Sequence, residues 1–194
     1  MPESDGYKTE QALLIELRRL YIYLTEQYRQ KWDRDLPFDE ILFDRWERAK
    51  SLGFAEEASI YQSSYVYGNV KVGKGAWIGP FTLLDGSGTL VIGTHCNIST
   101  GVQIYTHDTV KRGLTGGNAP IENAPVVIGD YCYIGPQTVI TKGVTIGDHS
   151  VIGACSLVNK DIPSYSIAAG TPCRIIGDIE IIESNVKFHY FDDR

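Results

Sequence analysis

Residues 128–158 read IGDYCYIGPQTVITKGVTIGDHSVIGACSLV, and the spacing within this stretch decides the fold. Ile128, Ile134, Ile140, Ile146, Ile152 and Val158 stand six residues apart. A glycine follows the aliphatic residue at Gly129, Gly135, Gly147 and Gly153, and four residues after it comes a small or β-branched one: Cys132, Thr138, Val144, Ser150 or Ser156. Upstream the same step runs through Ile60, Val66, Val72, Ile78 and Leu84, and again through Ile92, Ile98 and Ile104. A period of six suits neither an amphipathic helix nor a lone alternating strand. It is the repeat of a parallel β-helix, in which each unit is a short strand plus a corner.

Three units close one coil, so position i returns on the same side after eighteen residues. The aliphatic side chain points inward and stacks on its copy in the next coil, which predicts Val66 beneath Leu84 and Ile134 beneath Ile152. Glycine at the corner is expected to supply backbone angles that other residues resist. The coils are expected from about residue 60 to residue 163.

The period breaks twice. Two residues are added between Leu84 and Ile92, around Asp85-Gly86-Ser87-Gly88. A longer excursion lies between Ile104 and Ile128 and contains the polar run 105–124. Loops that leave a regular scaffold are where binding and chemistry concentrate.

Residues 1–59 read differently, as an α-helical segment. Leu13, Leu17, Leu20 and Leu24 mark one face of a helix over 8–32, with Thr9 as candidate cap. A second helix is expected from Asp39 to about Leu52, between Pro37 and Gly53. These helices would cap one end of the solenoid, because a repeat protein needs its terminal coil covered. Residues 178–194 are set apart as a C-terminal tail.

The 194 residues carry a formal net charge of −6, which argues against nucleic acid as a partner. No apolar run approaches the ~18 residues of a membrane span, and Met1 to Glu10 has no signal-peptide core, so a cytoplasmic location is expected. Cys96, Cys132, Cys155 and Cys173 form no CxxC pair and read as buried or half-buried reduced thiols. His95, His107, His149 and His189 show no metal-ligand spacing, and no metal is expected.

The segment Ile128 to Gly177, with VTIG, VIGA, KDIP and GTPCRIIG in that order, resembles the hexapeptide-repeat acetyltransferases. The similarity is to the maltose and galactoside type, which includes sugar acetyltransferases of surface-polysaccharide pathways. The resemblance covers roughly residues 60–177 and implies a left-handed parallel β-helix acyltransferase domain over that range, with acetyl-CoA as donor, a sugar or nucleotide sugar as acceptor, and a homotrimer. It implies that His107, where the chain leaves the coil, is the general base: a neutral imidazole can take the proton of a sugar hydroxyl or amine as it attacks the thioester. Asp108 is expected to orient that ring or to meet the sugar.

By the same resemblance, Tyr133, Pro136 and Ala154 line the pantetheine channel, and Asn159, Lys160 and Arg174 meet the nucleotide end. Gly177 stands where close relatives of the galactoside type have an arginine, and Lys142 is the candidate replacement for that phosphate contact. Asp85 is read either as a sugar ligand or as a plain turn aspartate. Lys111 and Arg112 on the excursion are candidates for an anionic acceptor. Two other readings keep the fold: a zinc enzyme of the γ-carbonic-anhydrase type, which needs three converging histidines, and a non-catalytic scaffold, which would bind no CoA.

Overall fold

The computed structural model describes residues 4–191 and divides the chain into two compact units, Met1–Asp44 and Arg45–Arg194. In the first unit α1 (Ser4–Trp32) is followed by α2 (Phe38–Leu42), which starts directly after Pro37. The Tyr21 ring meets Phe38 edge-on at 5.8 Å, and Arg29 pairs with Asp35. Thr9 lies inside α1 and does not cap it, because the helix already begins at Ser4. Among the described residues no helix is long and apolar enough to cross a membrane.

The single helix expected from Asp39 to Leu52 is two. Phe43 is extended (φ −118°, ψ 139°) and breaks it, and α3 (Arg45–Ser51) begins anew in the second unit. Asp44, just before α3, is a residue type whose side chain competes for backbone N–H groups and so favours a helix start over a helix interior. Within this unit α3 is the helix that closes the first coil. Its Ala49 is wholly buried against the solenoid core, and Arg48 donates to the backbone carbonyls of Tyr61 and Ser64.

The second unit is a parallel β-solenoid of about six coils. Its prism has three faces, each built from strands in eighteen-residue register, lengthened where the period breaks and shortened to sixteen at the last coil. The first face stacks Ile60, Ile78, Ile98, Ile134, Ile152 and Ala168. The second stacks Val66, Leu84, Ile104, Ile140 and Val158. The third stacks Val72, Ile92, Ile128 and Ile146, with Ile162 bridged below. The expected pairs Val66 with Leu84 and Ile134 with Ile152 are both present. Ile78, Leu84, Ile98, Ile104, Ile134, Ile140, Ile146 and Ile152 are fully buried. At roughly 1.5–3 kcal/mol for each such side chain, these columns are the main stabilising term of the unit.

The repeated glycine has a different task from the one expected. Positive φ falls two residues after it, on Phe81, His95, Tyr131, Gln137, His149 and Cys155. The glycine is required for close approach between coils: a Cβ on Gly135 would lie 2.6 Å from the backbone nitrogen of Ala154. Three of the four cysteines are buried as expected, but Cys155 occupies an exposed corner.

The solenoid does not stop at residue 163. Its first face continues into Ser166–Ala169, and the chain then reverses. Arg174–Ile182 pairs antiparallel with Ser166–Ala169, and Asn185–Tyr190 pairs antiparallel with Arg174–Ile182. The region set apart as a tail is therefore mostly the outer part of this terminal hairpin; residues 192–194 lie outside the described residues.

Candidate functional site

The two breaks in the period fall at the same corner of the prism, between the second and third faces. Leu84, Ile104, Ile140 and Val158 are stacked in register, so the residues that follow them are stacked too. This brings Asp85, His107, Lys142 and Lys160 to one edge, each from the next coil along. In the first of these coils the strand Leu83–Ile92 runs straight through the corner. In the next, the chain turns outward after Ile104, and His107–Asp108 pairs antiparallel with Glu122–Asn123 at the neck of the excursion. Beyond that neck lies α4 (Val110–Leu114).

Asp85 is the pivot of this corner. It is 1% exposed, and its Oδ2 lies 2.6 Å from Nδ1 of His107. The same oxygen accepts the Thr106 N–H at 2.8 Å, while Oδ1 accepts the N–H of Ser87 at 3.0 Å and its hydroxyl at 2.5 Å. Burial pushes the Asp85 carboxyl up, but the Ser87 side chain and backbone, the Thr106 N–H and His107 outweigh it and hold the group well below the usual carboxylate range. An ionised Asp85 is acceptor-only, so Nδ1 of His107 carries the hydrogen when the ring is neutral and Nε2 keeps its lone pair. The His107 side chain is 34% exposed. Thr106, wholly buried, completes the frame by donating its hydroxyl to the Asp85 carbonyl at 2.8 Å and accepting from Gly88 N–H at 2.7 Å.

Asp108, expected on the ring or the sugar, instead faces Lys142 at 3.0 Å and accepts the Val110 N–H. Lys142, expected at the donor phosphates, also holds Glu122 at 3.2 Å. The Lys142 hydrogen bond and the Val110 N–H keep Asp108 below its ordinary value, Lys111 and then Lys142 do the same for Glu122, and Asp108 and Glu122 raise Lys142. Lys111, a candidate for an anionic acceptor, is bound to Glu122, and Arg112 reaches the Ala119 carbonyl at 3.4 Å.

The donor candidates are spread over the surface of the single chain. Tyr133, 41% exposed, lies on the first face. Pro136 and Ala154 stand in successive coils at the corner between the first and second faces, Asn159 and Lys160 follow Val158 on the exposed edge, and Arg174 opens the terminal hairpin. Sequence reasoning missed Ser87, Thr106 and Glu122. Thr106 adjoins His107 and carried a positional signal; Glu122 carried none, because the loop brings it back. His95 and His149 belong to a different corner from His107, so the three do not converge, and no metal-holding group of His, Cys, Asp and Glu is found among the described residues.

The bacterial transferase hexapeptide family (six repeats) matches residues 125–160. The galactoside O-acetyltransferase of Escherichia coli (strain K12) is 35% identical over 142 residues, which cover 63% of this chain and 68% of that protein. A putative colanic acid biosynthesis acetyltransferase, WcaF, of the same organism is 35% identical over 107 residues, 54% of this chain and 56% of its own. Among solved structures, a hexapeptide-repeat acetyltransferase from Vibrio cholerae O1 biovar eltor, complexed with acetyl coenzyme A, superimposes with a TM-score of 0.56 at 27% identity, covering 92% of this chain and 91% of that one. The shared fold is the left-handed parallel β-helix.

Proposed function

Since this chain belongs to the hexapeptide-repeat acetyltransferases, we propose that it moves an acetyl group from acetyl-CoA to a hydroxyl or amino group of a sugar, with His107 as general base. The observation that carries this reading is the 2.6 Å contact between His107 Nδ1 and the buried, ionised Asp85. It leaves Nε2 as the basic nitrogen of a ring whose side chain is part-exposed. Nε2 takes the proton of the acceptor O–H or N–H as that atom bonds to the thioester carbonyl carbon. The tetrahedral oxyanion is held by a backbone N–H and collapses by breaking the carbon–sulfur bond. The departing CoA thiolate recovers the proton from the imidazolium, which the Asp85 carboxylate has stabilised meanwhile.

Tyr133, Pro136 and Ala154 form the pantetheine path in this proposal, and Asn159, Lys160 and Arg174 its nucleotide end. These residues lie on different sides of one prism, so a complete site needs neighbouring copies, and a homotrimer closes three equivalent sites by rotation. Light scattering at three times the 21.6 kDa chain mass supports that assembly; a monomer overturns it. The sugar class is supported by the galactoside and colanic acid relatives, and the donor by the acetyl-CoA complex of the Vibrio structure. Acetyl-CoA as donor fits a cytoplasmic enzyme, and polysaccharide building blocks fit as acceptors.

The test is acceptor profiling with labelled acetyl-CoA against free sugars, nucleotide amino sugars and glycan fragments. Label is expected in a sugar, and the stability of the product to mild base separates an amide from an ester. No label in any of these sugars from protein that binds acetyl-CoA would overturn the sugar reading, and no binding of CoA at all would favour a scaffold.

A further inference from the structure

We propose that Lys142 is a positioning residue for the acetyl transfer, a strut that ties the neck of the excursion to the coil beneath it and so fixes where the His107 imidazole sits; this rests on the assignment of His107 as the base. The neck is two residues on each side, His107–Asp108 against Glu122–Asn123. Asp108 and Glu122 are directly opposed in that pairing, and like charges so placed push strands apart. The Lys142 ammonium reaches both, at 3.0 Å to Asp108 and 3.2 Å to Glu122. Only a cation at this point converts the repulsion into a closed link between the two sides of the neck.

The link also runs between coils. Ile140 is in register with Ile104, so the corner bearing Lys142 lies next to the point where the chain departs. Gly143, at φ +82°, turns the backbone there, and a Cβ on it would meet only the Ala124 methyl, at 3.5 Å. Ala124 in turn donates its N–H to the Thr106 carbonyl at 2.9 Å. His107 is thus held from two directions, its ring by Asp85 in the preceding coil and its neighbour Asp108 by Lys142 in the following one. The Lys142 side chain is 25% exposed, less than its two partners at 34% and 33%, so solvent screens this link less than a free surface pair. Lys111 neutralises Glu122 from within the loop itself and has no such reach into the next coil.

A short neck with a strut has a kinetic signature. Displacement of a base by about 1 Å costs up to ~10²-fold in rate, whereas a contact to the donor's phosphates acts on binding. Lys142→Met is expected to lower kcat by roughly tenfold with the KM for acetyl-CoA unchanged, and Lys142→Arg to restore most of that loss. In an Asp108→Asn/Glu122→Gln background the Lys142→Met change is expected to cost little more, because its partners are gone. Glu122→Gln alone probes the same link from the loop side should Lys142→Met fold poorly. An unchanged kcat in Lys142→Met, or full additivity in the neutralised background, overturns the strut. A raised KM for acetyl-CoA at intact kcat also overturns it and returns Lys142 to the donor phosphates. His107→Ala run alongside separates the two levels: an active His107→Ala variant removes the base assignment itself, while an inactive one beside an unaffected Lys142→Met removes only the strut.

Discussion

At the corner between the third and first faces, His95, Tyr131, His149 and Tyr165 stand one above another in successive coils. Their rings are stacked at 5.7, 4.8 and 4.8 Å with interplanar angles of 19°, 12° and 12°. At the corner between the second and third faces, Asp85, His107, Lys142 and Lys160 occupy the corresponding edge, and the carboxylate, the imidazole and the first ammonium are three unlike groups in a row. Both corners come from the same six-residue unit, and both contain histidine. The first keeps the period and repeats similar flat rings, so its histidines are spacers in a column. The second breaks the period twice, and each break sets an unlike group beside its neighbour. Residue type alone does not distinguish the two kinds of histidine; what the residue meets in the adjacent coil does.

That contrast is open to attack at several points, the first with the largest expected effect. His107→Ala is expected to lower kcat by roughly 10²- to 10⁴-fold while acetyl-CoA still binds, which steady-state kinetics beside calorimetric titration with CoA would read. A variant within about threefold of wild type would abolish the distinction between the corners.

Asp85→Asn is expected to cost less, on the order of 10²-fold in kcat, because the amide still accepts a hydrogen bond but no longer stabilises the imidazolium. It carries a second signature. The folded Asp85 carboxyl lies below its unfolded value of ~3.9, so its contribution to stability is present above that pH and is lost as pH falls through and below it. Wild type should therefore lose more stability than Asp85→Asn between about pH 5 and pH 3 in denaturant titrations. Equal losses would mean that the carboxylate gains nothing from its buried donors.

Lys160→Ala, further along the same edge, is expected to raise the KM for acetyl-CoA about tenfold with kcat nearly unchanged, the mark of binding shared by ground and transition states. An unchanged KM would take Lys160 out of the donor site. The smallest effect belongs to the opposite corner. His149→Asn removes one ring from the column yet tolerates the left-handed backbone at φ +55°. At about 1 kcal/mol for the lost stacking, the melting midpoint should fall by ~2–4 °C, with kcat within twofold of wild type. A large kcat loss there would show that the column, too, serves the chemistry.

The legibility of these features in the sequence follows from their geometry. The solenoid was readable because its period is the coil itself: Ile134 and Ile152 meet for the sole reason that they are eighteen residues apart. His107 stands where that period fails, and its role was legible only through the resemblance to the acetyltransferases. The Asp85–His107 contact was not, because the two lie 22 residues apart on segments that have each left the repeat, so no spacing rule relates them. Glu122 was hidden further still, since a loop of free length decides where it returns. The helix break at Phe43 was obscured by an apolar pattern continuous across it. The role of the repeated glycines was misassigned because sequence shows a missing side chain without showing whether backbone angle or close approach requires it.

The register between coils has a consequence for how such a molecule changes over generations. Adjacent strands are separated by ~4.8 Å, and the residues along the working edge belong to consecutive strands. Removing one whole coil, three repeats, would leave every side chain on its own face and shorten the separation of two groups on that edge by one such step. A slip of a single residue would instead turn the inward column outward. Distances along the axis are therefore available only in quanta, and finer adjustment has to come from insertions at the corners. The excursion that carries Asp108 and Glu122 is an insertion of that kind: a continuous dial mounted on a ruler that reads only whole divisions.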